Sequence, residues 1–394
     1  MNIRKVGRMD VVEIDLADPE SSRDPVATYG AARERSAVAR LVAPGMPSMW
    51  AVTRYDEARA LFTDGRFALS DATFALLPAK IAPEYRPYLR TMQQMEGPEH
   101  ARLRRVVSPA FTPARAAAFR PRAEAIVDAA LDRVPAGRAD LVEVARPLPI
   151  EMICALVGVP EDERGPWHEF GAVVAVGHGE AFVAAVPGII DAARAAVEAA
   201  RTRGGDDLLS TLVHTPGGPS EAELVTLVWQ LLLAGQVPAL LVPNAVHALL
   251  THPVQHPDPA AAVDELIRWC GPQLLSLPRV AQCDVEIGGV TITKGDMVSA
   301  SIVGANRDPR VFDDPDTLRL DRPDAGAHLG FAHGAHFCLG ASLARMQTEV
   351  TLRAILRRDP RLPDPDEATR RPDPGTWRLT SLPVELSPTG AGAR

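Results

Sequence analysis

The sequence predicts a mainly α-helical protein with a small β region, folded as one large domain over residues 1–394. Long Ala-rich stretches at 114–133, 148–157 and 180–203 carry apolar residues at helical spacing. The clearest β-rich stretch is confined to Arg279–Ser301. No internal repeat, low-complexity tract or linker divides the chain. Segments 1–25 and 386–394 are expected to be poorly ordered termini.

Taken in order, Trp50–Phe67 (WAVTRYDEARALFTDGRF) begins as a short β run and continues as a helix, with Ala58, Leu61 and Phe62 on one face. Residues 71–95, broken by Pro78, Pro83 and Pro87, read as loop with short helical pieces. Pro98 opens a helix that reaches Val107. After the break TPGGPS, Ser220 and Glu223 form a capping box at the head of the most apolar stretch of the chain, Glu223–Leu250. Gln230, Gln236, Pro238, Pro243, Asn244 and His247 interrupt that stretch. It falls short of the roughly 18 uninterrupted apolar residues of a membrane span, so a buried central helix is expected. A helix holding Asp264–Trp269 follows, then short strands around Gly288-Gly289 and Lys294-Gly295-Asp296, then a last helix from Ala341 to about Arg358.

Charge and cysteine usage narrow the function. The 42 basic and 50 acidic side chains leave a net charge of −8, which argues against a nucleic-acid partner. Four cysteines without paired spacing suit a reducing compartment, and the N-terminus has no apolar run of signal-peptide length, so a cytoplasmic location without membrane attachment is expected.

The most informative stretch is His328–Arg345, HLGFAHGAHFCLGASLAR. Cys338 lies just before a helix, where backbone N–H groups and the helix dipole favour a thiolate. Gly334 and Gly340 permit a tight loop whose backbone approaches something flat. Three readings stand together: a buried inert cysteine, a zinc site built from His328, His333, His336 and Cys338, and a thiolate ligand to haem iron.

Phe331, Gly334, His336, Cys338 and Gly340 match FxxGxHxCxG, and with them the chain resembles a bacterial, soluble member of the cytochrome P-450 family. Glu265 and Arg268 resemble the family's ExxR pair, whose spacing puts both side chains on one helix face. Arg322, in LRLDRP, lies where the family supplies a second Arg to that pair. His100 and Arg104 resemble its HxxxR; read alone, they would be a charged helix face. The resemblance assigns His100, Arg104, Arg279 and His336 to the two haem propionates, carboxylates that would be costly to bury unpaired.

The likeness runs from about Trp50 to the C-terminus and includes Ala305–Pro309, ANRDP. It implies the family's triangular prism, with a b-type haem buried between the central helix and the Cys-loop helix. Cys338 would be the iron ligand, molecular oxygen the co-substrate, and Cys154, Cys270 and Cys283 inert.

One departure bears on mechanism. Where the family usually places a small-residue pair and then an acid and a Thr, this chain has Ala234, Gly235, Gln236, Val237 and Pro238. Val237 stands at the acid position and Pro238 at the Thr position, so neither supplies protons for oxygen activation. Pro238 is expected to kink the helix there, while Ala234 and Gly235 leave room for a diatomic ligand. Ala234, Gly235, Gln236 and Pro238 are the candidate catalytic positions. A substrate group or water held by Gln236 could supply the protons; the reaction could tolerate poor coupling, use peroxide, or be an oxidative coupling or ring closure; or the chain could be a non-catalytic partner or activator.

With no flavin or iron–sulfur domain, electrons are expected from a separate ferredoxin or flavodoxin with its reductase, docking near Arg102, Arg105 and Arg345. The pocket is expected to draw on 71–95, 165–200, Ala234–Pro238, Gln273–Leu277 and the turn near Leu379. These apolar segments suit a hydrophobic small molecule, free or tethered to a carrier protein, in a tailoring step of natural-product biosynthesis.

Overall fold

The structure is a computed structural model in which residues 3–6, 9–69, 80–176, 180–252, 258–371, 373 and 375–388 are described. Its principal helices are α1 (Gly97–Val107), α2 (Pro113–Asp132), α3 (Leu148–Val157), α4 (Glu180–Arg203), α5 (Glu221–Ala234), α6 (Val237–Thr251), α7 (Val263–Cys270) and α8 (Ala341–Leu356). The strands of its main sheet are β1 (Ile3–Val6), β2 (Met9–Asp15), β3 (Val38–Val42), β4 (Met49–Val52), β5 (Phe67–Leu69), β6 (Arg279–Ala281) and β7 (Met297–Ala300).

Helix ends follow local chemistry. Thr112 caps α2, its hydroxyl accepting the Arg115 amide at 3.3 Å with Pro113 in the first turn. The expected capping box heads α5: the Glu223 amide donates to Ser220 Oγ at 3.3 Å and the Ser220 amide to Glu223 Oε2 at 2.7 Å.

The chain forms two compact units. The first takes residues 1–70, 247–338 and 369–380 and holds the seven-stranded sheet, ordered β1-β2-β3-β4-β7-β6-β5. β2 runs parallel to β3 and β7 parallel to β4, with Val298 opposite Trp50. Alternation sends Val12, Ile14, Ala39, Leu41 and Ala51 into one apolar cluster with Tyr29 and Ala32. Residues 9–25, expected as loose terminus, are instead a paired strand and a short helix, because Val12 and Ile14 have a neighbouring strand to be buried on.

The second unit takes residues 71–246, 339–368 and 381–394 and is helical except for the pairing of Gly137–Asp140 with Pro383–Leu386. α8 packs on α2, where Arg120 makes two bonds to the Glu349 carboxylate at 3.2 and 2.6 Å. Arg358, just past α8, donates to the carbonyls of Leu131, Val134, Pro135 and Ser387 and so ties three segments of this unit together.

The central apolar stretch is two helices, not one kinked helix. α5 ends at Ala234 and α6 starts at Val237, with Gly235 and Gln236 between them. Pro238 is the second residue of α6, where its missing N–H costs no hydrogen bond. By length and composition 221–251 would pass for a membrane span, but 65% of its most apolar window is buried in the protein. Its two helices have 14 and 15 residues, each below the roughly 20 a span requires.

Candidate active site

The loop before Cys338 is shaped by backbone bonds within the first unit. The Cys338 amide donates to the Phe331 carbonyl at 2.9 Å and the Phe337 amide to Gly334 at 3.0 Å, folding His333–Phe337 into a tight excursion. Gly334 has φ +75°, and a Cβ there would lie 2.8 Å from Thr63 Cγ2, so both conformation and space require glycine. Gly340 has φ −85° and no neighbour within 4 Å of an added Cβ, so the fold alone makes no such demand on it. Ala332 sits in the left-handed region at φ 59°, a strained position that the sequence reading did not mark. Phe331 lies between His328 and Phe337, its ring centroid 5.4 and 6.2 Å from theirs.

Cys338 is half-buried and comes three residues before α8, whereas Cys154 and Cys270 are buried and burial pushes both thiols up to about 12. Cys338 is thus less buried than either of them. His328 is unsuited to a zinc site: its Nε2 lies 3.2 Å from Asp264 Oδ1, and its Nδ1 accepts the Gly330 amide at 3.0 Å. Among the described residues no group of three or more His, Cys, Asp or Glu side chains is placed to hold a metal ion.

Beneath the loop lies a buried ionic network. Glu265 and Arg268, one turn apart on α7, form two bonds at 2.6 and 2.8 Å, and Arg322 Nε reaches the same carboxylate at 3.2 Å. Arg268 also donates to the carbonyls of Asn306 and Pro315, and Arg322 to those of Asp313, Asp314 and Thr317. Asn306 passes the restraint on, its Oδ1 accepting the Leu329 amide at 2.7 Å at the base of the Cys loop. Asp308 accepts the Tyr55 amide, and Arg307 stacks over Trp269 at 4.5 Å. In this way ANRDP joins the network.

The other assigned residues fall on both units. In the first, Arg279 is buried on β6, with its guanidinium donating to the Phe67 carbonyl at 3.2 Å and lying 5.8 Å from the Phe62 ring centre; His336 is half-buried within the Cys loop. In the second, His100 is buried and Arg104 half-buried, four residues apart on one face of α1. Arg102 is ion-paired to Glu223, Arg105 is exposed and Arg345 half-buried. Of the expected pocket segments, 71–79 and 177–179 lie outside the described residues.

At the break after α5, Gly235 is required by packing. A Cβ there would fall 2.3 Å from Ile153 Cδ1 on α3 and 2.6 Å from the Leu231 carbonyl. Gln236 is buried, and its Nε2 donates to the Leu232 carbonyl at 3.2 Å, closing the end of α5. Ala234 is exposed, and Pro238 borders a small cavity with Leu148, Met152, Gln347 and Thr351.

Known proteins share this fold. A sequence model of the family described as Cytochrome P450 matches residues 260–387. The cytochrome P450 monooxygenase PikC of Streptomyces venezuelae is 33% identical over 95% of this chain and 94% of its own. The 6-deoxyerythronolide B hydroxylase of Saccharopolyspora erythraea is 36% identical over 94% of this chain and 98% of its own. Among solved structures, the cytochrome P450 enzyme CxnD, for C–S bond formation in chuangxinmycin biosynthesis, matches with a TM-score of 0.84 and 30% identity, covering 98% of this chain and all of that one. The chain belongs to the cytochrome P450 family. It is an oxidoreductase of the monooxygenase type, with haem as its cofactor and oxygen as its oxidant.

The residues present fit that cofactor. In the first unit, the half-buried Cys338 at the end of a tight loop and the buried Arg279 guanidinium are of the donor types that a thiolate-held haem would need.

Proposed function

We propose that the protein carries out a tailoring oxidation, hydroxylation or oxidative ring closure, on a mostly apolar natural-product scaffold, and that the scaffold's own hydroxyl, amide or phenol supplies the protons. The single observation that carries this is the make-up of residues 234–238. Ala, Gly, Gln, Val and Pro include no titratable group, and the one polar side chain, Gln236, is buried with one of its two amide hydrogens donated to the Leu232 carbonyl. The tailoring role rests on the relatives named above, which include a hydroxylase and an enzyme for C–S bond formation.

When bound through Cys338, a b-type haem supplies the activation of dioxygen, with the thiolate's electron density favouring O–O cleavage. The protein's part is to hold and exclude. Glu265, Arg268, Arg322 and Asn306 keep the Cys loop in one shape. His100, Arg104, Arg279 and His336 are assigned to neutralise the propionates. Gly235 and Pro238 set where α5 stops and α6 starts. Electrons arrive from a ferredoxin or flavodoxin, docking near Arg102, Arg105 and Arg345, of which Arg102 is ion-paired to Glu223 and Arg105 is exposed.

The test is stoichiometric. A ligand-induced spin-state screen first identifies a scaffold that the ferric protein binds. Reductant consumed per product formed is then measured with that scaffold and with an analogue lacking its O–H or N–H group. The expected result is tight coupling with the first and roughly tenfold more wasted reductant with the second. Equal, tight coupling with both sinks the proposal.

A further inference from the structure

His328 is buried at the start of the segment that leads to Cys338, and both of its ring nitrogens are in use. The backbone on either side of it is pinned. The Tyr55 hydroxyl donates to the Ala327 carbonyl at 2.7 Å, and the Leu329 amide donates to Asn306 Oδ1 at 2.7 Å. Between these anchors the ring reaches α7, where its Nε2 lies 3.2 Å from Asp264 Oδ1. Its Nδ1 accepts the amide of Gly330 at 3.0 Å. A ring nitrogen that accepts an N–H carries no proton of its own, so the imidazole is neutral, with its proton on Nε2 and donated to the Asp264 carboxylate.

The contact with Gly330 leaves little slack. A Cβ at Gly330 would stand 2.6 Å from Ile267 Cγ2 on α7 and 3.2 Å from His328 Nδ1, so the backbone there is clamped between the helix and the imidazole. The His328 ring also lies 5.4 Å from the ring of Phe331. Phe331 is the residue whose carbonyl accepts the Cys338 amide at 2.9 Å. A short path therefore runs from Asp264 through His328 to Gly330 and Phe331 and ends on the Cys338 amide, all of it within the first unit. α7 holds this segment through two neighbouring carboxylates, Glu265 by way of Arg268 and Asn306, and Asp264 by way of His328.

We propose, resting on the haem-thiolate reading above, that His328 is a positioning residue for the Cys338 thiolate. Backed by Asp264, its imidazole fixes the turn at Gly330 and Phe331, and with it the carbonyl that keeps the Cys338 amide hydrogen occupied. Hydrogen bonds to a ligating sulfur draw electron density from it and raise the potential of the metal. An amide released from Phe331 becomes available to the sulfur, so loss of His328 weakens the thiolate as a donor.

The test uses the haem-loaded protein and two readouts: the rate at which its ferrous carbon monoxide complex converts from the thiolate-type to the thiol-type Soret band in a fixed concentration of urea, and the reduction potential of the iron. His328→Leu removes both ring contacts and should convert about tenfold faster, with a potential shifted to more positive values. Asp264→Ala should shift both readouts the same way, with conversion about threefold faster. The double variant should be no worse than His328→Leu alone, because the carboxylate acts through the ring. His328→Asn returns an acceptor to the amide two residues on and should recover most of the loss in both readouts. A His328→Leu protein with the conversion rate and potential of the wild type overturns the inference alone. So does a loss of thermal stability with an unmoved potential, which marks a merely structural role. Should His328→Leu fail to accumulate with haem, Asp264→Ala decides by the same two readouts. A wild type without the thiolate-type band overturns the haem-thiolate reading and the inference with it.

Discussion

In the loop before Cys338, shape is set by polar groups. Glu265 is answered by two arginines, those arginines by five backbone carbonyls, and Asn306 by the Leu329 amide. At the break between α5 and α6, shape is set by volume: Ile153 leaves no room for a side chain at 235, and Pro238 starts the next helix without an N–H. The first arrangement fixes a position to within hydrogen-bond tolerance. The second needs only that atoms fill the space. Directional bonds hold one geometry, whereas packing by volume tolerates more change.

The largest effect expected is at Cys338. In Cys338→Ser the ferrous carbon monoxide complex should lose its thiolate-type Soret band and turnover should fall by at least about 10³. Cys283→Ser should change neither. Burial pushes the Cys154 and Cys270 thiols up to about 12, so alkylation of the folded protein near pH 8 should label exposed Cys283 ahead of both, as peptide mapping can check. A Cys338→Ser protein that kept the wild-type spectrum would erase the contrast between the two regions.

The next effect tests whether the polar network is as costly to break as it looks. Arg268→Ala leaves the buried Glu265 carboxylate with Arg322 Nε at 3.2 Å and the Arg319 amide at 3.1 Å, and frees the Asn306 and Pro315 carbonyls. Removing one partner of a buried ion pair typically costs about 3–5 kcal/mol. Unfolding of the haem-loaded protein, followed by the Soret band, should show a loss of that size. Arg361→Ala, at an exposed pair with Asp359, should stay within about 0.5 kcal/mol. A similar loss for both would mean that the network does not hold the loop.

The volume-built region should give a smaller effect. Gly235→Ala puts a methyl 2.3 Å from Ile153 Cδ1, an overpacking expected to cost about 1–3 kcal/mol. Ile153→Val removes that Cδ1, so the double variant should recover part of the loss. Additive losses would show that glycine is needed at 235 for some other reason.

These contrasts also explain what could be read from the sequence. Glu265, Arg268 and Arg322 were legible because an ion pair needs one charge type at each position, and the structure brings the three together. Asn306 and Ala332 were not: one works through bonds to segments distant in sequence, the other through a backbone angle that composition does not record. The strand Met9–Asp15 was missed because Val12 and Ile14 are a short alternation among acidic residues, and their parallel partner, Val38–Val42, follows more than twenty residues later. Pro238 announced a disturbance but not its form. Whether a proline kinks a helix or starts a new one depends on its neighbours, here a Gly235 pressed against Ile153 and a Gln236 that closes α5.

The smallest effect is the one that bears most directly on mechanism. Pro238→Thr introduces a hydroxyl and a backbone N–H at the position where the family usually keeps its Thr. Because Pro238 occupies the first turn of α6, the exchange removes no helix bond and should change stability by no more than about 0.5 kcal/mol. If the substrate brings its own protons, the new hydroxyl is redundant, and reductant consumed per product should change by less than about twofold with the native scaffold. With the analogue lacking its O–H or N–H group, the same substitution should improve coupling several-fold, because the protein then supplies what the ligand cannot. A large improvement with the native scaffold would mean that the break is merely a leaky version of the family's site. No improvement with the analogue would mean that the α5–α6 break, and not the missing hydroxyl, limits proton delivery.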